Sequence, residues 1–273
     1  MTTRRYHLAF VGAPLHRPWG RLHVWRGGRG PTVLAIHGLG GSGRYWATLA
    51  TLAGDRHTVV APDLGGFGHS DKPTLRYDRT FHLDNLDAAV ADITGPIVVV
   101  GHSLGGVLAA LWAARNPQRV AALALVATPF PATGQGMPTR DQRLSEQDRR
   151  AVRQGMYRAF QTAWPVVTFP IRSRVFSRAV IRDYMRHTLQ SYWETAQAVL
   201  WDSATESELA PLAHLSAAPA LLLSAADDKR VGIACAERWA ELLPHAERSV
   251  VTGGHQLLLR GGFTELASWL GRY

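Results

Sequence analysis

The sequence predicts an α/β fold: a mostly parallel central sheet flanked by helices, with a helical cap inserted after the sixth strand. Three observations lead there. Short aliphatic runs recur without polar alternation, as strands buried on both faces require. Each run leads into a Gly-rich turn, and segments of helical period separate one run from the next. The alternation then stops at Pro129 and resumes near Pro219, leaving about ninety residues for the insertion.

Taken in order, residues 6–11 and 21–25 supply a starting hairpin at the sheet edge. Residues 32–37, 58–62, 97–101, 120–127, 220–224 and 248–252 are the buried strands. Leu83, Leu86, Val90 and Ile93 mark a helix that ends at the Gly95-Pro96 break, and residues 103–116 form another, stopped by Pro117. Residues 1–128 and 219–273 therefore make the core. Residues 129–218 make the cap, rich in Arg and aromatics, with helical spacing at 147–160 and again at 174–201.

With 273 residues, 46% apolar and 19% charged, the chain has enough apolar mass for one globular core. The formal charge of +9 raises nucleic acid, anionic membrane or acidic substrate as partners. Its distribution argues against a uniformly cationic binder. Residues 1–54 carry seven Arg and no acid, residues 137–190 carry eleven Arg against four acids, and the remainder is net acidic. Without a recognition motif as well, nucleic acid is not an expected partner. One cysteine, Cys235, excludes an intramolecular disulfide and any cysteine-based metal cluster. The opening residues form no signal-peptide apolar core, and no apolar run approaches the ~20 residues of a membrane span. A cytoplasmic protein without stable membrane insertion is expected, with homodimerisation left open.

The strongest local signal is Gly101-His102-Ser103-Leu104-Gly105-Gly106, between an aliphatic strand and a helix that begins Val-Leu-Ala-Ala-Leu-Trp. A serine at such a turn sits in a strained backbone with its hydroxyl projecting from the sheet, and flanking side chains would clash. The spacing matches neither a dinucleotide-binding Gly-x-Gly-x-x-Gly nor a P-loop with its lysine.

With these residues in view, the chain resembles the α/β-hydrolase family over nearly its whole length except the insertion. His37-Gly38-Leu39-Gly40-Gly41 follows the third strand, where the family places its oxyanion loop. Asp63-Leu64-Gly65-Gly66-Phe67-Gly68-His69-Ser70 is similar to the family's Asp-x-x-Gly-x-Gly-x-Ser loop, and Gly253-Gly254-His255 closes the last strand.

The resemblance implies a catalytic triad, because a serine hydroxyl needs a base within reach and a carboxylate to fix that base's tautomer. Ser103 is the implied nucleophile and His255 the base, following the family order Ser, acid, His. For the acid the chain offers Asp227 and Asp228. The family's Gly-x-x-Asp-x-x-Val register selects Asp228, with Ala225 in place of the glycine, and leaves Asp227 capping or solvated. The backbone N–H groups of Leu39 and Leu104 are the implied oxyanion donors. His37 and Asp63 read as braces of their own loops. No cofactor is implied, and His37, His69 and His102 lack the spacing of a metal site.

A nucleophilic serine implies acyl transfer on a small-molecule acyl substrate: a carboxylic ester, lactone or thioester. The alternatives are carbon–carbon bond hydrolysis of a diketo acid, in whose branch Asn and Trp usually stand where this chain has His102 and Gln256, and a ligand receptor on the same scaffold. Candidate pocket residues are His37, His102, Trp164, Phe169, Tyr192 and Trp193, with Phe176, Tyr184 and Trp201 beside them; the alternative for the aromatics is the cap's own core. Arg174, Arg178, Arg182 and Arg186 recur every four residues and should share one helix face, either solvated, or steering an anionic substrate or seating on an acidic lipid surface.

Overall fold

The aliphatic runs become adjacent strands because each sends apolar side chains to both faces of a sheet that is covered on both sides. A computed structural model describes residues 10–131, 176–202, 204–215 and 217–273. Its strands are β1 (Val11–Arg17), β2 (Gly20–Gly28), β3 (Thr32–Ile36), β4 (Thr58–Asp63), β5 (Ile97–His102), β6 (Val120–Val126), β7 (Ala220–Ala225) and β8 (Glu247–Val251). They form one sheet in the order β1-β2-β4-β3-β5-β6-β7-β8. Strands β3 to β8 run parallel, while β1 and β2 pair antiparallel at the edge.

Alternate residues of each strand serve different cores. Val33, Ala35, Val98, Val100, Leu221 and Leu223 pack on one face against α1 (Ala47–Ala53) and the last helix, α8 (Gly262–Leu270). Leu34, Ile36, Val99, Leu123 and Leu222 pack on the other against α2 (Arg79–Ala89), α3 (Leu104–Arg115) and α7 (Ile233–Leu242). Helix α3 is buried at every position from Leu104 to Ala114, which explains its lack of any polar face.

The edge hairpin sits differently from the 6–11 and 21–25 expectation. The tight turn at Pro18-Trp19 sets the register, pairing Arg17 with Gly20 and Val11 with Arg26. The first strand therefore begins where the apolar run was expected to end; residues 6–9 lie outside the described residues. Turn chemistry, not the apolar run, places this hairpin.

Between β6 and β7, the described residues form α4 (Arg178–Tyr184), α5 (Leu189–Ala196) running into a π-helical turn at Gln197–Trp201, α6 (Ala204–Glu208) and a 3₁₀ turn at Ala210–Leu215. The helical spacing of 174–201 is thus broken after Tyr184, and Thr188 restarts the helix through a capping box with Ser191. Arg186 lies beyond the end of α4 and does not continue the helical face of Arg178 and Arg182; Arg174 is outside the described residues. Val199, Leu209, Leu212 and Leu215 join the same apolar cluster as Leu108 and Trp112 of α3. Among the described residues, no helix is long and apolar enough to cross a membrane.

Because the inner strands are parallel, the loops after β3, β5, β7 and β8 all leave from the same edge of the sheet. Clefts form along that carboxyl edge.

Candidate active site

Ser103 occupies the single residue between β5 and α3, at φ 55° and ψ −125°. That conformation is costly for any residue with a side chain. The glycines around it answer to close packing. A Cβ on Gly105 would lie 2.3 Å from the Ile36 carbonyl oxygen, and one on Gly101 would lie 2.1 Å from the Gly105 carbonyl oxygen. The Ser103 N–H donates to the Val126 carbonyl at 2.9 Å, pinning the turn to the neighbouring strand.

The structure brings Ser103, His255 and Asp228 into line. His255 Nε2 lies 3.0 Å from Ser103 Oγ, and His255 Nδ1 lies 2.9 Å from Asp228 Oδ2. Acceptance by the carboxylate requires the proton on Nδ1, so Nε2 faces the serine hydroxyl as an acceptor. The other Asp228 oxygen, Oδ1, accepts the N–H groups of Arg230 at 2.8 Å and Val231 at 3.0 Å, which holds the carboxylate in place. Burial holds the His255 imidazole below its ordinary pKa of 6.5; the hydrogen bond and charge of Asp228 oppose this, and Arg230 adds to it. His255 is accordingly neutral at pH 7.

Asp227 faces the same loop without touching the imidazole. Its Oδ1 accepts the N–H groups of Gly253 at 2.9 Å and Gly254 at 2.8 Å, fixing the backbone that carries His255.

The loop after β3 lies directly against the serine. A Cβ on Gly38 would stand 3.3 Å from Ser103 Cβ, and the loop is closed by a Gly41 N–H to Gly38 carbonyl bond of 2.9 Å. Leu39 sits inside that turn. Leu104 opens α3, where an N–H has no intrahelical acceptor. His37 is buried with both ring nitrogens engaged: Nε2 accepts the Leu64 N–H at 3.1 Å, so Nδ1 donates to the Gly38 carbonyl at 2.8 Å. Burial pushes its pKa down to about 4.

His102 is also buried. Its Nε2 donates to the His255 carbonyl at 2.8 Å, and burial together with the neighbouring His255 lowers its pKa to about 3. Its ring stacks on Tyr45 at 5.2 Å, and the Tyr45 hydroxyl donates to Gln256 Oε1 at 3.1 Å. Tyr45 is a residue that sequence reasoning missed.

Asp63 braces the β4 turn. Its carboxylate accepts from Gly43 N–H at 2.6 Å, His69 N–H at 2.7 Å and Trp25 Nε1 at 2.9 Å, while the Ser70 hydroxyl donates to its carbonyl. Burial raises its pKa to about 6 despite these donors.

Of the pocket candidates in the insertion, Tyr192 stacks on His187 at 5.0 Å and Trp193 meets Trp201 at 5.4 Å. Tyr184 lies over the loop after β3, its ring 2.6 Å from where a Cβ on Gly40 would be. Trp164 and Phe169 lie outside the described residues. A separate cavity of about 460 Å³ opens beside the β4 turn, between Trp19, Arg21, His69, Lys72 and Arg186; Ser103 and His255 do not line it. Among the described residues, no group of three His, Cys, Asp or Glu is arranged to hold a metal ion.

Residues 31–261 match the model of the α/β hydrolase fold, and the chain belongs to the α/β-hydrolase family. It is 37% identical over 135 residues to an uncharacterised protein of Mycobacterium tuberculosis, a match covering 46% of this chain and 39% of that one. It is 44% identical over 102 residues to the pimeloyl-[acyl-carrier protein] methyl ester esterase of Chromobacterium violaceum, covering 37% and 38% of the two chains. Each match therefore spans well under half the length of the curated relative. In three dimensions the chain is similar to an esterase from Exiguobacterium antarcticum, with TM-score 0.75, 16% identity and coverage of 96% and 99%. At that identity the likeness speaks to the fold.

Proposed function

We propose that the protein is a serine hydrolase that cleaves a carboxylic ester, lactone or thioester of a small, largely apolar substrate through an acyl-enzyme. The observation that carries this reading is the unbroken chain from Asp228 to His255 to Ser103, with contacts of 2.9 and 3.0 Å, ending on a serine in a strained turn. Geometry of this kind is what nucleophilic catalysis by a hydroxyl needs.

In the reaction, Ser103 Oγ attacks the acyl carbon while His255 Nε2 takes its proton. Asp228 holds the imidazole by Nδ1 and stabilises the imidazolium that forms. The acyl oxygen gains negative charge and is received by the N–H groups of Leu39 and Leu104. Collapse breaks the bond to the leaving alcohol or thiol, which takes the proton from His255. A water then gives its proton to His255 and attacks the acyl carbon; the bond to Ser103 Oγ breaks, His255 returns the proton to that oxygen, and the acid leaves.

Tyr184, which lies over the loop after β3, supports reading residues 129–218 as a cap over this centre. The esterase among the relatives favours an ester over the carbon–carbon alternative. Gln256 supports the same choice, because it stands after His255 where the carbon–carbon branch usually carries Trp.

The test is hydrolysis of short- and medium-chain p-nitrophenyl esters by the wild type and Ser103→Ala, with fluorophosphonate labelling mapped by peptide mass. Turnover lost in the variant and a label on Ser103 are expected. A wild type that neither turns over any of these esters nor takes the label would sink the reading.

A further inference from the structure

Helix α4 has one buried residue among the seven that compose it, and that residue is a carboxylate, Asp183. An amphipathic helix normally buries an apolar stripe; an acid in its place needs partners, because an unpaired buried charge is strongly disfavoured. Asp183 finds them on two core loops. Oδ2 accepts from Arg44 Nε at 2.7 Å and from the Ser42 hydroxyl at 3.2 Å, and Oδ1 accepts from His69 Nε2 at 3.0 Å. Arg186 stands at 3.8 Å on the same oxygen.

These partners occupy the segment that leads out of the candidate oxyanion loop. Ser42 to Arg44 follow Gly41 directly, and the next residue of α4, Tyr184, lies on Gly40. Asp63 grips the same places from beneath, through the N–H groups of Gly43 and His69. Arg44 is clamped as well, its guanidinium 4.2 Å above the Trp25 ring. The loop carrying Leu39 is thus held between a carboxylate of the core and a carboxylate of the insertion.

We infer that Asp183 is a positioning residue: it fixes the loop 38–44 so that the Leu39 N–H points at the developing oxyanion, and the insertion thereby completes the oxyanion hole as well as covering it. This rests on the serine-hydrolase reading above. A donor misplaced by a fraction of an ångström loses transition-state stabilisation while ground-state binding changes little.

The test compares the full-length wild type with Asp183→Asn and Asp183→Glu on a p-nitrophenyl ester. It also measures inhibition by a trifluoromethyl ketone, whose hemiketal oxyanion occupies the same hole. Asp183→Asn should lower kcat by about tenfold or more with KM changed less than about threefold, and should weaken the ketone by a similar factor. The acidic limb of the pH profile, set by His255, should not move, and Asp183→Glu should recover part of the loss. A folded Asp183→Asn with kcat within about twofold of wild type, or with kcat lost and ketone affinity unchanged, overturns the inference. Should Asp183→Asn fail to fold, Ser42→Ala and Asp183→Glu carry the test: kcat and ketone affinity must fall together in both, and if neither falls the inference is wrong. Absence of turnover in the wild type would instead defeat the hydrolase reading itself.

Discussion

Asp227 and Asp228 are neighbours in the chain and hold the same histidine loop by different atoms: Asp228 by the His255 imidazole, Asp227 by the N–H groups of Gly253 and Gly254. One carboxylate acts on the ring and the other on the backbone beneath it. Their replacement should therefore separate chemistry from loop order. Asp228→Asn removes the charge that stabilises the imidazolium and favours the wrong tautomer, and kcat should fall by about 10³–10⁴. Asp227→Asn keeps an acceptor for the two N–H groups, and kcat should fall by less than about tenfold, with a small drop in melting temperature. Steady-state kinetics beside a thermal melt of each variant reads both effects; equal losses of kcat would contradict the division of labour.

The pH profile follows from the surroundings of His255. Only the neutral imidazole accepts the serine proton, so activity falls as His255 becomes protonated. Burial disfavours the imidazolium, so the acidic limb of kcat/KM should lie below pH 6.5. Asp228 works in the opposite direction, and Asp228→Asn should move the limb to still lower pH in whatever activity remains. A limb above 6.5 in the wild type would mean that the charge of Asp228 outweighs burial.

Stability should depend on pH through buried histidines that take no part in the proposed proton transfer. Burial holds His37 at about 4 and His82 and His102 at about 3, against an ordinary 6.5. Between these values the unfolded chain binds more protons than the folded one, so stability is full above pH 6.5 and is lost as pH falls toward 4. Asp63 opposes this: with its pKa raised to about 6, it favours the folded state on protonation and offsets one histidine. Together these four groups should lower stability by roughly 4 kcal/mol between pH 6.5 and 5. Urea unfolding at pH 7.5, 6 and 5 measures it, and a midpoint independent of pH would show that these histidines are solvated.

The parallel strands and the contact of Ser103 with His255 were legible because their signals are local: an aliphatic run, a Gly-x-Ser-x-Gly turn, a Gly-Gly-His at a strand end. Even Asp228 over Asp227 rested on three residues of spacing to Val231, whose N–H the carboxylate accepts. What stayed hidden was pairing across the chain. Ser42 and Asp183 are 141 residues apart, and Tyr45 and Gln256 are 211 apart. A serine in a loop or an aspartate in an Arg-rich helix reads as solvated until the fold supplies its partner. Nor did periodicity reveal the break after Tyr184, because a residue that turns a helix toward a buried polar contact leaves no gap in the apolar pattern.

The backbone at Ser103 carries a conformational cost that the proposed nucleophile role would explain. At φ 55° and ψ −125°, a side chain is held in a region that glycine alone enters freely. Two inactive variants isolate this cost. Ser103→Ala and Ser103→Gly both remove the hydroxyl and its contact with His255, so activity is lost in each. They differ in a Cβ. Alanine keeps the strain, which is of order 1–3 kcal/mol at such positions. Glycine removes the strain but loses roughly 0.5–1 kcal/mol through the greater freedom of its unfolded chain. The strain exceeds that loss over most of its range, so Ser103→Gly should be more stable than Ser103→Ala by about 1 kcal/mol. Equilibrium unfolding of the two variants under identical conditions gives the difference directly. If Ser103→Ala proves the more stable, the strain at this turn is below about 1 kcal/mol, less than the freedom that glycine regains on unfolding.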